Sequence, residues 1–271
     1  MRCSRYSYPL FLLFAVSCSM PRAYFMSPMD INTNTYHTMP MATDSQKAAT
    51  YANLTFNTGG SNQHAQDVVL GGRLDMHRAY QFGWFQAYYG GGLSLGNYHV
   101  EDAWHFSNDY YNGVNDTVYH YRAANRFYGI YGINGGINLV IPFANGKGEW
   151  RAIGLETSFQ KEFGDYIHYR KGIPDSAFDI LATYDQAFTL GGMTEIVGRT
   201  RHGTEFGYKI AVGTVLFPKG NYRGRESYDR PAYFYNTLHV TKKKVTGFLQ
   251  VNIGVYAVSF QFGVNYNLSK K

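Results

Sequence analysis

The stretch Val255 to Leu268, VYAVSFQFGVNYNL, puts Tyr256, Val258, Phe260, Phe262, Val264, Tyr266 and Leu268 at every second position. Between them stand Ala257, Ser259, Gln261, Gly263, Asn265 and Asn267. Successive strand side chains point to opposite faces, so this segment carries one apolar face and one polar face. A typical strand has about five or six residues; this alternation holds for thirteen. A face that stays apolar for so long asks for an apolar surrounding, and this requirement limits the fold more than any other feature.

The same period of two recurs along the chain. In RFYGIYGINGGINLVIPF the odd positions Phe127, Tyr131, Ile133, Ile137, Leu139, Ile141 and Phe143 are apolar. In IGLETSFQKEF they are Ile153, Leu155, Phe159 and Phe163, with Glu156, Ser158, Gln160 and Glu162 opposite. Ten such segments are expected, at about 48–58, 66–78, 82–98, 126–143, 149–164, 187–199, 204–217, 234–241, 245–253 and 256–268. Tight connections (AYQ, FANGKG, TRHG and KKK) alternate with long ones, and Gly254-Val255 reads as a two-residue hairpin pairing Ile253 with Tyr256 and Val251 with Val258. Short turns at one end and long loops at the other, joined by strands of about 9–11 residues, describe a barrel that crosses a bilayer. The expected class is therefore all-β: an antiparallel up-and-down transmembrane β-barrel of about ten strands, with eight as the alternative count. A soluble lipocalin-like carrier would have the same alternation turned inside out.

Composition agrees with this class. The chain has 271 residues, 17% aromatic, with 25 Tyr and 30 Gly. Its formal charge of +6 is spread over short basic runs, TKKK and RGRESYDR, which read as turns and loops. Neither a basic helix nor an RNA-binding sheet signature is present, so nucleic acid is not an expected partner.

The N-terminus reads MRCSRYSYPLFLLFAVSCSM. Arg2 and Arg5 precede an apolar core, Pro9 to Val16, that is too short to span a bilayer as a helix. Small residues then lead to Cys18. Residues 1–17 are the expected signal peptide, and its loss lowers the formal charge from +6 by two arginines to +4. Cys3 leaves with it, so the exported chain would keep a single Cys and no internal disulfide. Lipidation of Cys18 accounts for that lone thiol. Residues 18–47, rich in Met, Pro, Asn and Thr without periodicity, are expected to be a flexible tether. The irregular Met spacing argues against copper binding. The barrel domain is expected over 48–271.

With AVSC at residues 15–18, the Pro- and Asn-containing tether, and Gly- and Tyr-rich strands from Ala48 to Leu268, the chain resembles lipobox-bearing outer-membrane β-barrel proteins of the Bacteroidetes type. The resemblance implies an outer-membrane location, both integral and lipid-anchored, among lipid and lipopolysaccharide. One departure is the end NYNLSKK, which lacks the final aromatic residue common in such barrels.

Alternation points Arg73, Asp75, His77, Glu156, Glu162, Glu195, Arg199 and Lys209 into the lumen, where mixed signs suit charge-paired filling of a narrow barrel. Omptin-type proteases use acidic and histidine pairs at a barrel rim, and Asp75-x-His77 matches half of that pattern. It is expected beside the short AYQ turn, on the wrong side, without a second acidic pair. No Ser or His stands out for lipid modification, no phosphate loop or Gly-x-Ser-x-Gly is present, and no Cys pair exists for zinc. No catalytic residue, metal or cofactor is assigned. The expected role is non-enzymatic, structural or surface-interacting. Long loops at 101–125 and 218–236, the latter with Arg223, Arg225 and Arg230, are the candidates for meeting a glycan, protein or lipopolysaccharide.

Overall fold

Aromatic and β-branched residues at alternate positions favour extended chain, and a computed structural model shows how the extended segments pair. It describes residues 25–31, 34–61, 67–107, 117–173, 181–217, 222–223, 232–254 and 257–269. The signal segment and Cys18 lie outside these residues. Ten strands close into one antiparallel barrel: β1 (Ala48–Ser61), β2 (Val68–Phe82), β3 (Phe85–Val100), β6 (Ala124–Pro142), β7 (Gly148–Phe163), β9 (Gln186–Arg199), β10 (Glu205–Phe217), β12 (Ala232–Lys242), β13 (Val245–Gly254) and β14 (Ala257–Asn267). Each pairs with its barrel neighbour in sequence, and β1 meets β14 from Tyr51↔Asn267 to Ser61↔Ala257 to close the ring. The loops carry two small ribbons, β4 (Ala103–Ser107) with β5 (Thr117–Tyr121) and β8 (Leu181–Ala182) with β11 (Tyr222–Arg223). Two helices, α1 (Pro28–Ile31) and α2 (Asp165–Lys171), complete the described elements.

The apolar faces point outward. Ile153 is 68% exposed, Ile133 66%, Leu74 63% and Phe262 54%, whereas Glu156 and Lys209 are each 2% exposed. Such an exterior would aggregate in water, and a bilayer is the solvent it fits. A soluble carrier, with its apolar face gathered inside, is thereby overturned. Exposed aromatic residues mark both rims: Phe82, Trp84, Phe85, Phe143 and Trp150 near the short turns, and Phe127, Phe163 and Phe188 near the long loops. These belts sit where a membrane interface is expected. No described helix is long and apolar enough to cross a membrane, so crossing falls to the strands.

Several expectations need correction. β2 runs on through the AYQ segment to Phe82, and its turn is Gly83-Trp84, where Gly83 takes a left-handed φ of 60°. Asp75 therefore sits mid-wall, opposite Gly92, and not at a rim. The β13–β14 connection is two residues longer than the expected hairpin: Ile253 pairs with Val258, Val251 with Phe260 and Leu249 with Phe262. A shift of two preserves the faces, so the apolar side survived the error.

The largest correction concerns the tether. Phe25, Met26, Ser27, Met29, Tyr36, His37, Met39 and Met41 are buried, and the described stretches 25–31 and 34–41 lie inside the barrel. A flexible tether would leave the polar lumenal wall without partners; this segment supplies them.

Candidate functional site

The lumen is the candidate site, and it is built from three layers of polar side chains held by the strand alternation. At the turn end, Arg151 Nε donates to Glu149 Oε1 at 2.9 Å and Nη1 donates to Glu195 Oε2 at 2.8 Å. Glu149 also accepts from the Ala42 amide at 2.7 Å and from Gln86 Nε2 at 2.8 Å. Arg199, only partly buried, bridges Asp44 and Glu205. A cavity of about 190 Å³ remains here, lined by Pro40, Asp44, Tyr51, Glu205, Lys243 and Lys244.

In the middle layer, Glu195 Oε1 accepts from Tyr36 Oη at 3.0 Å and His239 Nε2 at 2.8 Å, while the Tyr36 and His239 rings stack at 4.5 Å. Glu156 accepts from Tyr88 Oη at 3.1 Å, Lys209 Nζ and Tyr235 Oη. Arg73 grips Asp75 with two bonds, Nε to Oδ2 at 2.7 Å and Nη2 to Oδ1 at 2.8 Å. His77 Nε2 donates to the Thr38 carbonyl at 2.9 Å, and its ring stacks on Tyr51 at 4.9 Å. Lumenal rings also lie over glycines of the adjacent strand: a Cβ at Gly136 would stand 2.5 Å from the Tyr88 ring.

At the loop end, α2 folds over the mouth. It starts after Gly164, whose φ of 108° suits glycine. Glu162 accepts from Arg170 and from Ser27 Oγ, the latter at 2.9 Å. Arg170 also lies 4.8 Å from the centre of the Tyr166 ring. Tyr98 Oη donates to Asp67 at 2.9 Å, and the Tyr98 and Tyr166 rings stack. Burial pushes the Asp67 carboxyl up to about 6 and the Tyr169 phenol to about 12.

All eight residues assigned to the lumen thus have a described place: Arg73, Asp75, His77, Glu156, Glu162, Glu195 and Lys209 are buried inside, and Arg199 reaches the turn-end opening. Asp75 and His77 share a face, but Asp75 is committed to Arg73 and His77 to the N-terminal segment. That arrangement fills a wall more readily than it activates a water at a rim. Alternation missed Glu149 and Arg151, buried at 0% and 1% exposure. Between Arg151 and Gly154 β7 advances three residues while β9 advances two, from Glu195 to Met193, and this bulge reverses which parity faces inward. The readable signal was Trp150 and Ile153, apolar but three apart. Tyr36 and His37 were missed because nothing marked their segment as lumenal. Among the described residues no group of three or more His, Cys, Asp and Glu could hold a metal ion. In the long loops, Arg225 and Arg230 lie outside the described residues.

No protein-family model matches the chain. No curated protein matches it in sequence. Similar solved structures include the translocator domain of autotransporter NalP from Neisseria meningitidis, 9% identical, covering 82% of this chain and 89% of that one, with a TM-score of 0.39. An outer membrane channel from Pseudomonas putida F1 is 10% identical over 83% of this chain and 97% of that one, with a TM-score of 0.43. The beta domain of the Bordetella autotransporter BrkA is 12% identical over 82% of this chain and 99% of that one, with a TM-score of 0.40. At these scores the membrane reading rests on the chain's own apolar exterior and polar interior.

Proposed function

We propose that this chain is a non-enzymatic outer-membrane β-barrel lipoprotein of the lipobox-bearing type, closed to diffusion and acting through its structure and surface loops. The observation that carries the reading is the lumenal segment. Its backbone carbonyls receive Asn53 and Asn265 at Tyr36, Arg151 at Met39 and Gln86 at Pro40, so these wall side chains are bonded directly to the plug. A barrel of this strand number has little lumen to spare once a chain runs through it. The lipid on Cys18 follows from the AVSC motif, and lipopolysaccharide, glycan or protein contacts fall to the Tyr-, Asn- and Arg-containing loops.

Planar-bilayer recording tests closure. The intact protein is expected to be silent, and deletion of residues 25–41 to open a steady conductance. Equal conductance from both forms would overturn the closed-barrel reading. Radiolabelled palmitate should enter the wild-type chain and not Cys18→Ala. Asp75→Asn and His77→Ala, assayed on peptide and on lipid A, should leave whatever turnover the wild type has unchanged; a loss would restore the omptin-like alternative.

A further inference from the structure

The lumenal segment has a direction. At its start the Phe25 ring packs against Tyr121 at 5.4 Å and edge-on against Tyr169 at 5.6 Å, both of them in the long-loop region. The Met26 carbonyl accepts from Tyr166 of α2 at 3.0 Å, and Asp30 accepts from Tyr184 just before β9. Halfway along, the Asn34 carbonyl accepts from Gln250, inside β13, at 2.9 Å. At its end the Ala42 amide meets Glu149, Asp44 meets Arg199, and the Lys47 carbonyl accepts from the Gln81 amide at 2.7 Å. Those last partners all stand beside the short turns. The chain therefore enters the barrel at the loop mouth, descends to the turn mouth, and rises again as β1.

We infer that everything preceding Phe25 lies on the loop side of the membrane, so that the N-terminus of the exported chain is displayed on the face the long loops occupy. Resting on the lipoprotein reading above, the acyl chains on Cys18 then enter the loop-side leaflet. Reach decides between the leaflets. Six residues lie between Cys18 and Phe25, and the seven chain steps from one to the other span at most about 25 Å when fully extended. The hydrocarbon layer is itself about 25–30 Å thick, and the direct path through the lumen is occupied by buried residues such as Met26, Met29, Tyr36 and Met39. A turn-side anchor would require the segment to be withdrawn from the barrel. In this geometry the barrel and the lipid grip the same membrane from opposite ends of one threaded segment.

The test uses the full chain carrying a short flexible epitope between Pro21 and Arg22, with Lys243→Cys in the β12–β13 turn as the opposite-face reference. The epitope is expected to bind antibody on intact cells with no gain after the outer membrane is permeabilised, while a membrane-impermeant maleimide labels Lys243→Cys only after permeabilisation. Epitope binding that appears only after permeabilisation, together with the reference, overturns the proposal. Palmitate labelling is scored separately. If Cys18 takes no lipid but the epitope is surface-bound, the lipoprotein reading fails and the threading stands; if lipid is present and the epitope is hidden, the threading fails alone.

Discussion

Glu156 is an acceptor for three donors in the middle of the lumen, and one of them is the buried ammonium of Lys209. Removing one partner of a buried ion pair leaves the other charge uncompensated, which costs about 3–5 kcal/mol. Glu156→Ala should accordingly lower the temperature at which the folded form is lost on gels, and Glu156→Ala with Lys209→Met should recover part of that loss. An unchanged melting temperature in the single variant would show that Lys209 has another partner. Asp67 gives a pH signature. Its folded carboxyl titrates near 6 against 3.8 unfolded, so the native state binds more protons within that window. Stability should fall as pH rises from about 4 to about 6, by up to ~3 kcal/mol, and be flat above. Asp67→Asn should remove that slope in urea titrations at pH 4 and pH 7; an identical slope in the variant would assign it elsewhere. Residues such as Glu156 and Lys209 were legible because a period of two sorts a wall into faces. Asp67 falls in the expected segment 66–78 on the lumenal parity, but its partners, Tyr98 and the Glu101 amide, come from the far end of β3 and the loop after it, which the period of one strand does not show.

Among elements, the bulge in β7 shows where periodicity stops being informative. One extra residue between Arg151 and Gly154 lets Glu149 and Arg151 face inward although their parity predicts lipid. Deleting Ala152 removes the extra residue, so both strands then advance by two, Arg151 keeps its place opposite Glu195 and Trp150 stays toward lipid. That variant is expected to keep the heat-modifiable folded band; its loss would mean that the bend made by the bulge is itself required to close the wall. The β13–β14 turn failed differently, by an even number of residues, so its faces came out right although its partners did not. The lumenal segment gave no signal at all. A chain enclosed by wall on every side has no polar face, and therefore no period for Met26, Tyr36 and Met39 to follow. Strands against lipid announce themselves in sequence; a plug does not.

For the molecule as a whole, the barrel's own exterior is sufficient for membrane residence. Cys18→Ala should remain in the pellet after carbonate extraction, held by its lipid-facing strands alone, and release of that variant would show the acyl chains to be the principal hold. The closure of the ring has a further consequence. β1 and β14 are the two ends of the sheet, zipped from Tyr51↔Asn267 to Ser61↔Ala257 around a chain that already passes through the middle. Threading a finished cylinder would mean pulling the N-terminal residues, with any fatty acyl groups they carry, through a space barely wider than a backbone. Laying them in the open trough first and fastening the seam afterwards avoids that passage. The topology thus favours one order of assembly: the lumenal segment lies in the open sheet before the last strand meets the first.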